Sequence, residues 1–204
     1  MKVPILLRAT LALVLLAGCE SAKVSERPNR GFRPHGGPPV PPIGVVYVVN
    51  RSASMGACFS DVRAELKRSI GQLEQDQDEF HVIFFSSGPL AEMPAGRPVP
   101  ANDANKQKAF KFVDGIGAEG QSDPAKALET AFAVRPHYIY FLTNEKVSDR
   151  IIDLARHLNG DQKVTVDAIG FINREAEKSL KRLAAENNGK CRLLTEKDLR
   201  ERNP

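Results

Sequence analysis

A chain of 204 residues, 42% hydrophobic and 26% charged, is long enough for one well-packed domain plus a tail and too short for two ordinary domains. Its formal net charge of +4 loses Lys2 and Arg8 if an N-terminal signal is removed. Elsewhere basic and acidic residues alternate, as over 175–182 and 196–202, which is the pattern of solvated helix faces. No phosphate-binding stripe is formed, so nucleic acid is not an expected partner.

Lys2 and Arg8 precede an apolar stretch, Ala9 to Ala17, that ends in small residues, as a secretory signal does, and it is too short to span a bilayer as a helix. Its end, Leu16-Ala17-Gly18-Cys19, resembles the lipobox of bacterial lipoproteins. That resemblance implies lipidation of Cys19, removal of the preceding residues and a membrane anchor without a transmembrane helix; an ordinary cleaved signal is the plain alternative. Residues 1–19 are therefore read as the signal. Residues 20–42, rich in Pro and Gly and closing on Pro38-Pro39-Val40-Pro41-Pro42, form a tether that cannot bury enough to fold.

The domain is expected over 43–204. Apolar runs predict strands at Ile43 to Val49, Phe80 to Phe85, Tyr138 to Leu142, Val164 to Ile169 and Arg192 to Leu194. The first three are continuously apolar, which suits strands buried on both faces of a parallel sheet. Helical spacing links Val62, Leu66, Ile70 and Leu73; Leu128, Ala131 and Phe132; Ile151, Leu154, Ala155 and Leu158; and Ala176, Leu180, Leu183 and Ala184. Asp123-Pro124 reads as an N-cap followed by Pro at the first helical position, Ser148 as the next cap, and Asn188-Gly189 as a helix stop. The segment from Ser86 to Asn105 reads as a loop with one short strand near Leu90 to Met93. The alternation predicts an α/β fold, a doubly wound, mostly parallel sheet with helices on both faces.

In such a sheet ligands bind beyond the carboxyl ends of the strands, where strand order reverses. Asn50-Arg51-Ser52-Ala53-Ser54 ends the first strand, Gly120-Gln121-Ser122-Asp123 precedes a helix, and Thr143-Asn144-Glu145 ends the Tyr138 strand. This set resembles the metal-ion-dependent adhesion site of von Willebrand factor A domains, in which Asp-x-Ser-x-Ser, a later Thr and a second Asp hold Mg²⁺ or Mn²⁺ and a partner's acidic group completes the shell. The resemblance implies adjacent Asn50 and Tyr138 strands. It places Ser52 and Ser54 at the hydroxyl ligands, Ser122 at the Thr and Asn50 and Asn144 at the two Asp positions. Both carboxylates are thus amides, and neutral oxygens compensate poorly for the water that a hard cation sheds. The site is expected to be a remnant whose side chains hold loops. A weak metal site rearranged around Asp123 or Glu145 stays open, although Asp123 has a cap to form. Arg51 is expected to point outward.

Ser52 between a strand and a helix suggests a nucleophile elbow, but the glycines of Gly-x-Ser-x-Gly are missing. His35 lies in the tether, His81 opens a strand, His137 begins one at the end away from the site, and His157 lies on a helix face, so no base is placed for a serine hydrolase. Phosphate-binding Gly-x-x-x-x-Gly-Lys and zinc-type Cys/His spacings are missing as well. Cys58, near the first helix, and Cys191, in an edge strand, are expected to stay unpaired and buried, too far apart for a disulfide. The expected function is a membrane-tethered, non-catalytic protein-binding or scaffolding module of the cell envelope with an unspecified protein partner. The alternatives are a divalent-metal-dependent adhesion receptor and a serine hydrolase.

Overall fold

The computed structural model describes residues 42–195 and 197–198 apart from 76, 162 and 172. The signal, Cys19 and the tether up to residue 41 lie outside the described residues. Seven strands form one sheet. They are β1 (Ile43–Asn50), β2 (Asp78–Phe85), β3 (Ala91–Met93), β4 (Val99–Pro100), β5 (Tyr138–Thr143), β6 (Thr165–Phe171) and β7 (Cys191–Leu194). Their order is β3-β2-β1-β5-β6-β7, with β4 beside β3 on β2. Only β3 and β4 run antiparallel. The chain winds outward from β1 in one direction to β2 and in the other through β5, β6 and β7. Strand order therefore reverses between β1 and β5, where Val45 to Val49 pair with Tyr138 to Leu142.

Alternation along β1 builds both layers of the core. Val45, Tyr47 and Val49 face α1 (Phe59–Gly71) and α2 (Asp103–Gly115), joining Val62, Leu66, Ile70, Ala109 and Val113. Val46 and Val48 face the other layer, made by α3 (Ala125–Ala133), α4 (Asp149–Leu158) and α5 (Glu177–Ala185). Cys58 is buried in the first layer, whereas Cys191 packs on the second, so the sheet separates two free thiols. Cys191 is half-buried rather than buried, because β7 is an edge strand.

Asn188 adopts a φ of 59°, and Gly189 follows it with its N–H on Ala184 O at 2.9 Å. A Cβ on Gly189 would stand 1.9 Å from Val166 O, so the stop also requires glycine for the approach to β6. Buried amides hold the entry to β6. Asn159 accepts from Val164 N and donates to Val164 O and to Asn187 Oδ1, at 3.1, 2.8 and 3.1 Å.

Several expectations are corrected. The Ser86 to Asn105 loop contains β4 as well as β3, and α2 begins inside it at Asp103. No helix is expected there, although Ala109, Phe110, Phe112, Val113 and Ile116 recur at helical spacing and all pack on the core; Asn102 caps α2 by accepting from Asn105 N at 2.9 Å. Helix α3 starts one residue after Pro124, but Asp123 Oδ1 still accepts from Ala125 N at 3.1 Å. Ser148 occupies the cap position of α4 with its carbonyl, not its hydroxyl, receiving Ile151 and Ile152 N–H. Strand β6 runs to Phe171, two residues beyond the apolar run that announced it.

His81 does not open a strand. It lies inside β2 opposite Val46, 0% exposed, with Nε2 3.1 Å from Glu92 Oε2 on β3. Burial lowers its pKa and the Glu92 carboxylate opposes this only in part. The folded state thus binds this proton less readily than the unfolded chain, whose histidine titrates near 6.5. His81 therefore leaves stability intact above that value and withdraws it as pH falls below. The midpoint of thermal unfolding is expected to drop between pH 7 and pH 5, and His81→Phe to flatten that slope; an equal slope in the variant would assign the loss to other groups.

Candidate functional site

The carboxyl ends of β1 and β5 meet at the reversal of strand order. Beyond Asn50 the chain turns at once into a 3₁₀ helix, Ala53–Cys58, so residues 50–54 form a tight crossing over the sheet edge. Backbone bonds fix it on two sides. Arg51 N donates to Phe85 O at 2.9 Å, and residues 119–120 run alongside through Glu119 N to Arg51 O at 2.7 Å and Ala53 N to Gly120 O at 2.9 Å. Gly120, with a φ of 74°, allows this approach next to Ser87.

Asn50 is fully buried and uses both ends of its amide. Oδ1 accepts from Ser52 N at 2.8 Å, and Nδ2 donates to Thr143 Oγ1 at 3.0 Å. Thr143 Oγ1 also accepts from Glu145 N at 3.0 Å, so one buried hydroxyl links both strand ends. Asn144 is tied as firmly. Its Nδ2 donates to Ser54 O at 2.8 Å, its N–H to Met55 Sδ at 3.2 Å, and its carbonyl accepts from Asn173 Nδ2 at 2.8 Å.

Above this layer the side-chain oxygens converge on Glu145. Ser52 Oγ and Ser54 Oγ are 3.0 Å apart and both donate to Glu145 Oε1, at 3.2 and 2.5 Å, while Ser54 Oγ lies 3.2 Å from Asn144 Oδ1. Four of the five residues expected at the site, Asn50, Ser52, Ser54 and Asn144, are thus joined by hydrogen bonds. Ser122 stands apart. It lines an adjoining cavity of about 450 Å³ with Thr143 and Glu145, and no hydrogen bond joins it to the other four among the described residues.

Glu145, which the sequence offers only as a neighbour of the motif, is the residue at the centre. Its one sequence signal is its place directly after Asn144 at the end of an apolar strand. Arg51, expected to point outward, is corrected. Its side chain is 11% exposed and pairs with Glu119, which reaches it because residues 119–120 lie against the turn. His137 sits at the opposite end of the sheet with Nδ1 accepting from Gly44 N at 3.0 Å, and His157 is exposed on α4. Both serine hydroxyls meet oxygen acceptors here, and no imidazole activates either among the described residues.

The donor set fits a divalent ion poorly. It carries one formal negative charge, that of Glu145, where such ions are held by several carboxylates. Asn50 is committed at both ends to the strand junction, and Asp123 is drawn away by the start of α3 and by Arg150 at 3.7 Å.

A doubly wound sheet with this crossing at its switch point defines the class of domain. Residues 43–193 match the von Willebrand factor type A domain family, and the chain belongs to it. Among curated proteins none matches in sequence. Solved structures share the fold. A von Willebrand factor type A protein from Catenulispora acidiphila is similar at 19% identity and a TM-score of 0.67, covering 79% of this chain and 42% of that one. An aerotolerance-related membrane protein from Bacteroides fragilis is similar at 15% identity and a TM-score of 0.60, covering 79% and 96%. Proximal thread matrix protein 1 of the mussel byssus, solved with zinc in its adhesion-site motif, is similar at 17% identity and a TM-score of 0.58, covering 79% and 45%. The chain thus spans under half of the first of these proteins.

Asn50→Ala is expected to leave the Ser52 N–H without its acceptor in a buried place and to cut the side-chain link to Thr143, which keeps the Glu145 N–H, at a cost of about 2 kcal/mol. Urea unfolding measures this; a loss under about 1 kcal/mol, the net worth of one ordinary hydrogen bond, would show that Asn50 does not hold the junction.

Proposed function

We propose that this protein is a lipid-anchored, non-catalytic protein-binding or scaffolding module of the cell envelope, and that its adhesion-site motif works without a metal ion. The observation that carries this reading is the hydrogen-bonded layer at the switch point, in which both amides are tied to loop groups and Glu145 accepts both serine hydroxyls. Such a layer is preorganised by its own side chains and presents a fixed surface of loops, the usual place for binding residues. The lipobox and tether read from the sequence support an anchored domain, held outside the bilayer by an extended Pro-rich segment. Family membership, and serine hydroxyls that meet no imidazole base among the described residues, support binding rather than catalysis. The partner is a protein, bound at the carboxyl end of the sheet.

The second reading is a metal-dependent adhesion receptor, favoured by the four oxygens of Ser52, Ser54, Asn144 and Glu145 that lie 2.5 to 3.2 Å from one another along the chain of contacts, and by the zinc-occupied mussel relative. Thermal unfolding in rising Mg²⁺ or Mn²⁺ separates the two readings, with an Asn50→Asp, Asn144→Asp double variant as the charged control. A ligand at 100 times its Kd stabilises by about 2.7 kcal/mol. The unaltered protein is expected to hold its midpoint while the double variant rises; a parallel rise in both makes metal-bridged adhesion the function.

The anchor has its own test. Expressed with its signal, the protein is expected to partition into the detergent phase and Cys19→Ser into the aqueous phase; equal partition of the two would remove the lipid anchor from the proposal.

A further inference from the structure

Most charged side chains around the switch point pair off, and Glu145 does not. Arg51 pairs with Glu119, Lys146 with Glu175 at 3.0 Å, Arg150 with Asp123 at 3.7 Å and Arg182 with Asp149 at 2.5 Å. Glu145 has no cationic side chain within ion-pairing distance among the described residues, and its charge is met by two serine hydroxyls alone. Both hydroxyls bind Oε1. Oε2 receives no hydrogen bond among the described residues, and the half-buried side chain lines the cavity of about 450 Å³.

The cavity suits a particular shape of guest. Phe141, Val147 and Ile151 supply an apolar wall, and the hydroxyls of Ser122 and Ser148 can accept around the rim. An apolar wall with a carboxylate at one side and neutral acceptors nearby matches an apolar stem that carries a donor-only, cationic head. Of the four charged side chains that border the cavity, Asp123 and Arg150 pair with each other at 3.7 Å and Lys146 reaches out to Glu175, which leaves Glu145 as the lining carboxylate without a cationic partner among the described residues.

We propose that the partner protein places a basic side chain, a lysine ammonium or an arginine guanidinium, in this cavity against Glu145 Oε2. This rests on the metal-free reading of the site, because an ion held by the same oxygens would cancel the charge that attracts the base. Recognition at the switch point then runs from an acidic receptor to a basic ligand, and Ser52 and Ser54 position the receiving carboxylate.

The test is a titration of the isotope-labelled protein, in the presence of EDTA, with acetyl-Ala-Lys-Ala-amide and separately with acetyl-Ala-Glu-Ala-amide, following the amide resonances of Ser52, Ser54, Glu145 and Lys146. The lysine peptide is expected to shift these resonances saturably, more weakly as salt is raised, while the glutamate peptide leaves them unmoved. Glu145→Gln is expected to weaken the lysine peptide about tenfold, the loss of one charge-assisted hydrogen bond. A response to the glutamate peptide, a lysine response that salt does not weaken, or no lysine response at all overturns the proposal, and the salt series decides even if Glu145→Gln does not fold. A separate arm without EDTA adds Mg²⁺ alone. Shifts there overturn the metal-free reading, whereas a silent Mg²⁺ arm with a failed lysine arm overturns only the basic ligand.

Discussion

The hydrogen bond from the Asn50 amide to the Thr143 hydroxyl closes the place where the sheet reverses direction. Two parallel strands that diverge into helices on opposite faces leave a crevice there, and the polar ends of both strands lie in it. Asn50 and Thr143 are 0% and 2% exposed, so neither can exchange its partner for water. The neutral amide suits this position better than a carboxylate would, since it both donates and accepts: it takes Ser52 N with one end and gives Thr143 a donor with the other. A carboxylate could still accept from the Ser52 N–H and from the Thr143 hydroxyl, but it would bring a formal charge into a place that is fully buried.

From that junction the rest of the surface follows. Ser52 is held by its backbone N–H, and the turn then carries Ser54 over Asn144, whose own amide grips Ser54 O. Glu145 is fixed at its backbone by Thr143 and at its side chain by the two serines. The formal charge of this cluster sits on Glu145, directly after Asn144, while Asn50 and Asn144 are neutral amides. Elsewhere in the domain the same device recurs in the Asn159 and Asn187 amides that hold the entry to β6. Buried asparagine as a clip between loop and strand is therefore a general habit of this chain.

Much of the fold is legible in the residues. Continuous apolar runs at β1, β2 and β5 can only belong to strands covered on both faces, and the stripes of α1, α3, α4 and α5 leave little choice of helix face. Helix α2 is legible only in part: Ala109, Phe110, Phe112 and Val113 carry a helical period, but the helix opens on Asn and Asp, types that read equally as turn. Strand β4, two residues with a proline, carries no period to detect. Four of the five motif residues do meet, since strand ends are fixed by the sheet; Ser122, on a long connection, joins the cavity wall instead. Arg51 is misjudged for a related reason: its partner Glu119 lies 68 residues away on a segment whose course no local pattern gives.

The sequence by itself determined that a doubly wound sheet would form, which strand ends would carry the polar motif, and that Asn50 and Asn144 bring amides to it, because these depend on side-chain period and residue type. Only the tertiary structure decided which oxygen each hydroxyl would bind, that Arg51 would turn inward and that Glu145 would hold the centre without a cation. Those outcomes depend on distances between segments 68 to 93 residues apart, set by strand register and loop path, and no local rule of sequence contains them.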